Sequence, residues 1–544
     1  MLLIGLLLAY AFIVSFTSGQ LVLLILKRVL SLTTNKQLDV LLSSIVGLAA
    51  LSVFIAVYHF FFAISWPLHA LVLILLSVGG YCYSNPVKLA YQTLFQLVKN
   101  NWLLLTIVFV ACVFNVLLRP GVGDISDYHL QAIKWAEKYR NVLGLGNFNR
   151  PLANNNWWFN LQAYFGLSFI KTETVYVLNA LMFFNALFYF INSAENKLKL
   201  FRIPIILFLI LSIKTAFIGA VTPDYIITIL VFICFDLYQQ SVKNKTQELP
   251  YLMLLQVILI CWAITIKMIA LVMILLPLAV MIPYLFNHKT EAKKLMLTVM
   301  AIGVLYIVPW VIGNVIACGY LMYPVDAIDL FDVDWKVPAS YFEYDRLVLK
   351  SWGKIPWNDI YDTAKYSFSE WFPIWFKNFD AFNKGLFVLS ACSLLLLLAR
   401  SVLYKREVIW PMAVALIGFT VLFMNGPHAR FLYGYAVTII ALLCYTYSYH
   451  TLINQLKYVY VLLVLVLTGL TMFKVGTENK FSLLNRKPYP KDEVNAQQLG
   501  PYQIMLSDND HKCWDQFPCS AYFIEDIELR GSTIDEGFRV VTTP

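Results

Sequence analysis

The sequence predicts an all-α polytopic membrane protein of about fourteen transmembrane helices. Outer loops and a small C-terminal extracytoplasmic cap containing a few β-strands complete it. Three observations predict this class. Of 544 residues, 60% are hydrophobic and 13% charged, against about 25% charged in a soluble domain. The apolar residues gather in repeated runs of roughly 17–25, the length that crosses a bilayer. The basic residues fall mostly in the short loops between those runs. The net charge of +9 therefore reads as a positive-inside topology, with membrane lipids and not nucleic acid as partner.

The N-terminus, MLLIGLLLAYAFIV, lacks a basic leader and stays apolar to Leu26, which predicts a retained span and not a cleaved signal peptide. Spans near 2–26, 39–64, 67–83 and 102–118 make a first membrane unit, residues 1–118. Residues 119–173 form the first large outer loop. Spans near 174–193, 203–219, 223–238, 250–266, 268–286 and 296–317 make a second unit, 174–317, with a break near Lys267. Residues 318–384 form the second outer loop. Spans near 385–400, 409–424, 430–448 and 457–473 close the membrane region at 385–473, and 474–544 is the cap. With these spans the basic groups Lys27–Arg28–Lys36, Lys197–Lys199–Arg202, Lys243–Lys245, Lys289–Lys293–Lys294 and Lys405–Arg406 share one side, expected to be cytoplasmic. The long polar segments then share the other.

The chain is organised around the first outer loop. Asp124 and Asp127 are followed directly by Tyr128 and His129. The run 124–139 holds no Pro or Gly and is expected to be helical, with Asp124, Tyr128, Gln131 and Trp135 on one face. Beyond it lie Asn154–Asn156 and the pair Trp157–Trp158. Aromatic residues favour the headgroup level, so this loop is expected along the membrane surface. A carboxylate just past a span end suits a general base or a cation ligand. Equally, an Asp at a helix start stabilises the macrodipole by about 0.3–1 kcal/mol. His129 has no other His near it and reads as a structural or substrate hydrogen-bond partner. Arg430 follows Gly426–Pro427 at a helix start. It suits a phosphate through its bidentate fork, or it snorkels to the headgroups. Lys267, charged at an outer helix end, is a second cationic candidate.

The second outer loop carries Trp352, Trp357, Trp371 and Trp375, read as interfacial anchors. Its Asp332-Val-Asp334 resembles the Asp-x-Asp of soluble sugar-nucleotide enzymes. On an outer loop, solvated carboxylates are the default reading, and the same holds for Asp508 and Asp510 in the tail. Seven of nine cysteines lie in or beside spans without metal-ligand spacing, where Cys acts as a small hydrophobe. Cys513 and Cys519 lie in the tail at a spacing that suits a disulfide in an oxidising compartment. The segments AYFIEDIEL and GFRVVT suggest strands stapled by that pair.

A first outer loop opening Asp-x-x-x-Tyr-His resembles the GT-C superfamily of integral-membrane glycosyltransferases. Trp310–Pro324, which holds Tyr323 and ends Gly-Tyr-x-x-Tyr-Pro, Pro427–Phe431 (PHARF) and Thr222–Asp224 (TPD) resemble stretches of its bacterial members. The likeness covers residues of about 100–450 in order. The tail resembles that of a poorly characterised bacterial branch. The resemblance implies an enzyme of a bacterial-type inner membrane with its active site facing outside. It would pass a sugar from a polyprenyl-phosphate or polyprenyl-diphosphate carrier to a glycan, lipid or protein acceptor, with inversion. Asp124 matches the position of the base. Asp127 is an extra carboxylate, which leaves open which Asp is the base and whether the pair holds a divalent cation. Tyr128, His129, Arg430, Lys267 and Tyr323 would contact substrate. Two other readings stand beside this one. A transporter or flippase of lipid-linked glycans would show repeated halves and charge inside spans, and a non-catalytic envelope assembly component would tolerate loss of Asp124.

Overall fold

The computed structural model describes residues 1–30, 36–118, 123–170, 175–192, 196–215, 217–243, 248–400, 405–447, 453–478, 489–490, 494–507, 512–521 and 526–541. Arg119, Lys245, Asp508 and Asp510 lie outside them. The N-terminal unit comprises α1 (Leu2–Leu30), α2 (Lys36–His59), α3 (Trp66–Cys82), α4 (Ser84–Asn100) and α5 (Trp102–Leu117). The first long loop, expected on the outer side, holds α6 (Leu130–Lys138), α7 (Leu145–Phe148) and α8 (Trp157–Gly166). The second membrane unit is α9 (Leu178–Asn192), α10 (Asn196–Leu211), α11 (Pro223–Lys243), α12 (Leu249–Ile266), α13 (Leu275–Asn287) and α14 (Lys289–Cys318). The second long loop folds as α15 (Ser340–Lys354), α16 (Ile360–Lys365) and α17 (Phe368–Lys377). The last helices are α18 (Ala381–Arg400), α19 (Lys405–Asn425), α20 (Ala429–Tyr445) and α21 (Ile453–Glu478).

This is a mostly helical membrane protein. Among the described residues nine helical segments are long and apolar enough to cross a membrane, or ten if α3 and α4, bent by 98°, count as one. The sequence suggested about fourteen crossings from the same apolar runs. The difference lies in α3, α5, α9, α10 and α20, none longer than 17 residues. At 1.5 Å per residue such a helix rises about 25 Å, short of a hydrocarbon core of about 30 Å. The apolar runs extend past these helices into turns. The break at Lys267 is real: α12 stops, Lys267 is extended, and a 3₁₀ segment, Met268–Ile274, leads into α13.

Close packing is built from small residues. Gly19 of α1 and Gly47 of α2 meet backbone to backbone, and a Cβ on Gly47 would lie 1.7 Å from the Ser15 carbonyl oxygen. Ser15 and Ser44 share a hydroxyl bond of 2.7 Å across the same crossing. Such small-residue seams let helices associate where lipid is as apolar as the side chains.

Polar groups gather at the two ends of the bundle. At one end Lys27 and Tyr251 both bind Asp39, tying α1, α2 and the start of α12. There too Arg202 forks onto Asp236 at 2.7 and 2.9 Å, and Tyr189 donates to the same carboxylate at 2.6 Å. The opposite ends of α11 and α12 carry the candidate site.

The cap has a three-stranded sheet, β1 (Asn495–Leu499), β2 (Tyr502–Leu506) and β3 (Cys519–Ser520), and a pair, β4 (Ile527–Leu529) with β5 (Phe538–Val540). It builds its core jointly with the first long loop. Leu499, Ile504, Ile527 and Phe538 pack with Trp135, Val142 and Phe148. Cys513 and Cys519 form a disulfide. The loop they close docks on the first loop: the Cys513 and Trp514 amides both donate to the Ser126 carbonyl at 2.9 Å. Gln131 donates to the Trp514 and Gln516 carbonyls and accepts from the Cys519 amide. An impermeant maleimide applied to intact cells is expected to label this pair only after reductant, and Cys519→Ser is expected to loosen the cap by about 2 kcal/mol. Labelling without reductant, or none from outside, contradicts the bridge or the sidedness.

Candidate active site

Four ionisable side chains from four distant parts of the chain meet where helix ends converge. Asp124 follows α5, Asp224 sits in the first turn of α11, Lys267 ends α12 and Arg430 opens α20. Arg430 reaches both carboxylates: its Nη2 binds Asp124 and its Nε lies 3.0 Å from Asp224 Oδ2. Lys267 pairs with the other oxygen of Asp224 and lies 3.8 Å from the centre of the Phe431 ring. Asp224 is 4% exposed, Arg430 16%, Lys267 28% and Asp124 30%. The ring thus opens to the surface through Asp124 and Lys267 and is sealed at Asp224. Two carboxylates and two cations balance, which is how charge persists at such depth.

Local sequence explains each placement. Pro223 starts α11, where a missing amide costs nothing, and Thr222 supports Asp224 from the preceding turn at 3.3 Å. Gly426–Pro427 breaks the chain before α20, and Trp375 Nε1 donates to the Pro427 carbonyl at 2.5 Å. Trp371 and Trp375 are buried over this turn and are not free anchors, whereas Trp352 and Trp357 are exposed. Asp124 directly precedes a π-helical turn, Ile125–His129, which runs into α6. That turn closes i→i+5 bonds and so rotates by less than 100° per residue, and the single face expected for Asp124, Tyr128, Gln131 and Trp135 is split. Asp124 turns to Arg430, while Gln131 and Trp135 turn to the cap.

His129 and His428 flank the ring. His129 is buried, its ring edge-on to Tyr128 at 4.5 Å and tilted on Phe159 at 4.9 Å. Burial pushes its imidazole down to about 4, with Asp124 and Asp224 opposing that drop and Arg430 and Lys267 adding to it. Burial, then Arg430, brings His428 to about 4 as well. Both rings are neutral at pH 7 in the fold, and both titrate at about 6.5 when unfolded. Their contribution to stability is complete above about pH 6.5 and is lost as pH falls toward about 4, because the unfolded chain then binds more protons. The thermal midpoint is expected to fall over that window and to fall less in His129→Gln. Equal slopes in the two proteins would remove His129 from this account.

The remaining sequence candidates are placed elsewhere or differently. Asp127 accepts from the Ser126 hydroxyl at 2.9 Å. A cation on the Asp124–Asp127 pair would have to displace Arg430, and among the described residues no three His, Cys, Asp or Glu side chains are grouped to hold a metal. Tyr323 donates to Asp345, which faces Arg150 at 3.7 Å, and Arg150 stacks on Tyr344 at 4.7 Å. Asp334 is not a free loop carboxylate, since Arg530 of the cap forks onto it at 2.9 Å twice. Trp157 and Trp158 are buried inside the bundle and do not lie at its surface. The sequence marks Asp224 only as part of the Thr222–Asp224 turn and gives it no role at the site; a carboxylate inside the first turn of an apolar run is the signal for one.

A family model described as a domain of unknown function (DUF8201) matches residues 1–439. No curated protein and no solved structure matches the chain. The matched region contains all four members of the charged ring and stops before the cap.

Proposed function

We propose that this chain, which belongs to the family described as a domain of unknown function (DUF8201), is a GT-C-like glycosyltransferase. It takes a sugar from a polyprenyl-phosphate or polyprenyl-diphosphate carrier and passes it to an acceptor hydroxyl at the outer face of a bacterial-type inner membrane. The observation that carries the reading is the Asp124–Arg430–Asp224–Lys267 ring at one end of an apolar bundle. Transfer from a lipid phosphate needs a base for the acceptor and cations for the leaving phosphate. Arg430 and Lys267 supply the cations, and Asp224 holds both in place from its buried position. An arriving phosphate competes with Asp124 for the Arg430 fork. The donor therefore frees Asp124 to accept the hydroxyl proton, and the attack inverts the anomeric centre. His129, kept neutral, offers a hydrogen bond without adding charge. A divalent cation, if used, would enter with the donor's phosphate.

The test is transfer by the purified protein in nanodiscs from synthetic polyprenyl-phosphate sugars, with mass spectrometry of lipid-linked sugars and envelope glycans from a strain lacking it. A glycosylated product in vitro, with accumulated lipid-linked sugar in the strain, is expected. Accumulation without any transfer in vitro favours a flippase, and an unchanged glycome favours an assembly component.

A further inference from the structure

The stretch Cys513–Cys519 wraps the start of α6 with its main chain. The Cys513 and Trp514 amides donate to the Ser126 carbonyl at 2.9 Å. The Trp514 and Gln516 carbonyls accept from Gln131 Nε2 at 3.1 and 2.6 Å, and the Asp515 carbonyl accepts from Lys134 Nζ at 2.5 Å. The Cys519 amide donates to Gln131 Oε1 at 3.2 Å. Gln131 is wholly buried, and these bonds engage both its donor hydrogens and its acceptor oxygen. The disulfide holds the two anchored ends together: the Cα atoms of Cys513, on Ser126, and Cys519, on Gln131, lie 5.7 Å apart.

The Ser126 carbonyl is where this hold reaches the charged ring. A carbonyl has two lone pairs, and two cap amides point at this one. In a continuous α-helix the same oxygen would accept from the Leu130 amide, four residues on. That amide goes instead to the Ile125 carbonyl, five residues back. A π bond thus stands where the cap has occupied the α acceptor. Such single wide turns recur at functional sites. This one decides where Asp124 points. Closing the turn as α would rotate Asp124 by about 100° about the helix axis relative to Gln131, away from its bond with Arg430.

We infer that the cap positions the site from within the chain. Its Cys513–Cys519 loop holds Ile125–His129 as a π turn, the turn aims Asp124 at Arg430, and Gln131 is the positioning residue that locks the loop in place. The inference rests on the glycosyltransferase reading for the role of Asp124 as base. The hold of the cap on the turn stands apart from that reading. The site is then complete only when the bridge is formed, which ties it to the oxidising side of the membrane.

The test follows the full-length protein in nanodiscs before reduction, after tris(2-carboxyethyl)phosphine, and after reoxidation with oxidised glutathione. Hydrogen exchange read by mass spectrometry reports on the turn, and transfer from synthetic polyprenyl-phosphate sugars reports on the base. Reduction is expected to speed exchange of the 125–131 amides about tenfold or more while α11, α12 and α20 stay protected. The kcat should fall at least about 10²-fold, the lower weight of a general base, with the donor KM level because Arg430 keeps Asp224. Reoxidation should restore both. Gln131→Glu keeps the acceptor for the Cys519 amide but turns an oxygen toward the Trp514 and Gln516 carbonyls. It should show the same two changes without reductant. A general loosening, with exchange rising in α11 and α20 as well, overturns the inference. So does a turn indifferent to both reduction and Gln131→Glu, or a freed turn with undiminished kcat. A wild type that transfers nothing yet shows the local, reversible rise keeps the hold on the turn and removes the transferase.

Discussion

Asp124→Asn is expected to leave the protein folded and to lower sugar transfer by about 10²–10⁴-fold, the usual weight of a general base. The amide keeps the shape of the carboxylate but cannot accept the acceptor's proton. Folding should survive because Arg430 keeps its bond to Asp224, and Asp124 is the most exposed member of the ring. Donor binding should tighten slightly or stay level, since the phosphate no longer competes with a carboxylate for Arg430. That split between chemistry and binding distinguishes a base from a positioning group. Asp127→Asn is the control. Its carboxylate turns back to Ser126, so a small effect is expected, and an effect equal to that of Asp124→Asn would mean the two share a substrate contact or a cation. Undiminished transfer in Asp124→Asn would end the assignment.

How much of this was legible in the sequence depends on what each residue's neighbours could reveal. Asp124, Lys267 and Arg430 stand out because an apolar surrounding makes each charge costly. Their mutual pairing is invisible in one dimension, since Asp124 and Arg430 lie 306 residues apart. Asp224 was readable only as a polar turn, because an Asp after Pro at a helix start already has a sufficient explanation in the helix dipole. Aromatic placement misled. Trp157, Trp158, Trp371 and Trp375 sit in stretches where interfacial anchors are common, and nothing in their spacing separates a ring in the headgroups from one packed inside. The strands of AYFIEDIEL and GFRVVT do pair, Ile527 opposite Val540. The hairpin β1–β2 carried no alternating signal, because four of the five residues in NAQQL are exposed. The π turn at Ile125–His129 is set by tertiary contacts of Ser126 with the cap, which no local pattern encodes.

Arg430→Ala is expected to cost both fold and function, and the two losses can be separated. Removing the guanidinium leaves Asp124 and Asp224 with Lys267 alone, so a carboxylate 4% exposed loses one of its two counter-charges. Breaking a buried pair from one side costs about 3–5 kcal/mol, enough to lower the thermal midpoint in detergent by several degrees. Arg430→Lys keeps the charge but loses the fork, and one ammonium cannot span two carboxylates. It should recover most of the stability and little of the transfer, with the donor KM raised. The double variant Arg430→Ala/Asp224→Asn removes the unpaired charge along with the cation. Its stability should return toward wild type, because the pair is deleted from both sides. Its transfer should stay as low as in Arg430→Ala, since no fork remains for the leaving phosphate. A double variant that regains transfer with its fold would make the ring a structural staple alone. One that is stable and inactive assigns Arg430 to the donor phosphate.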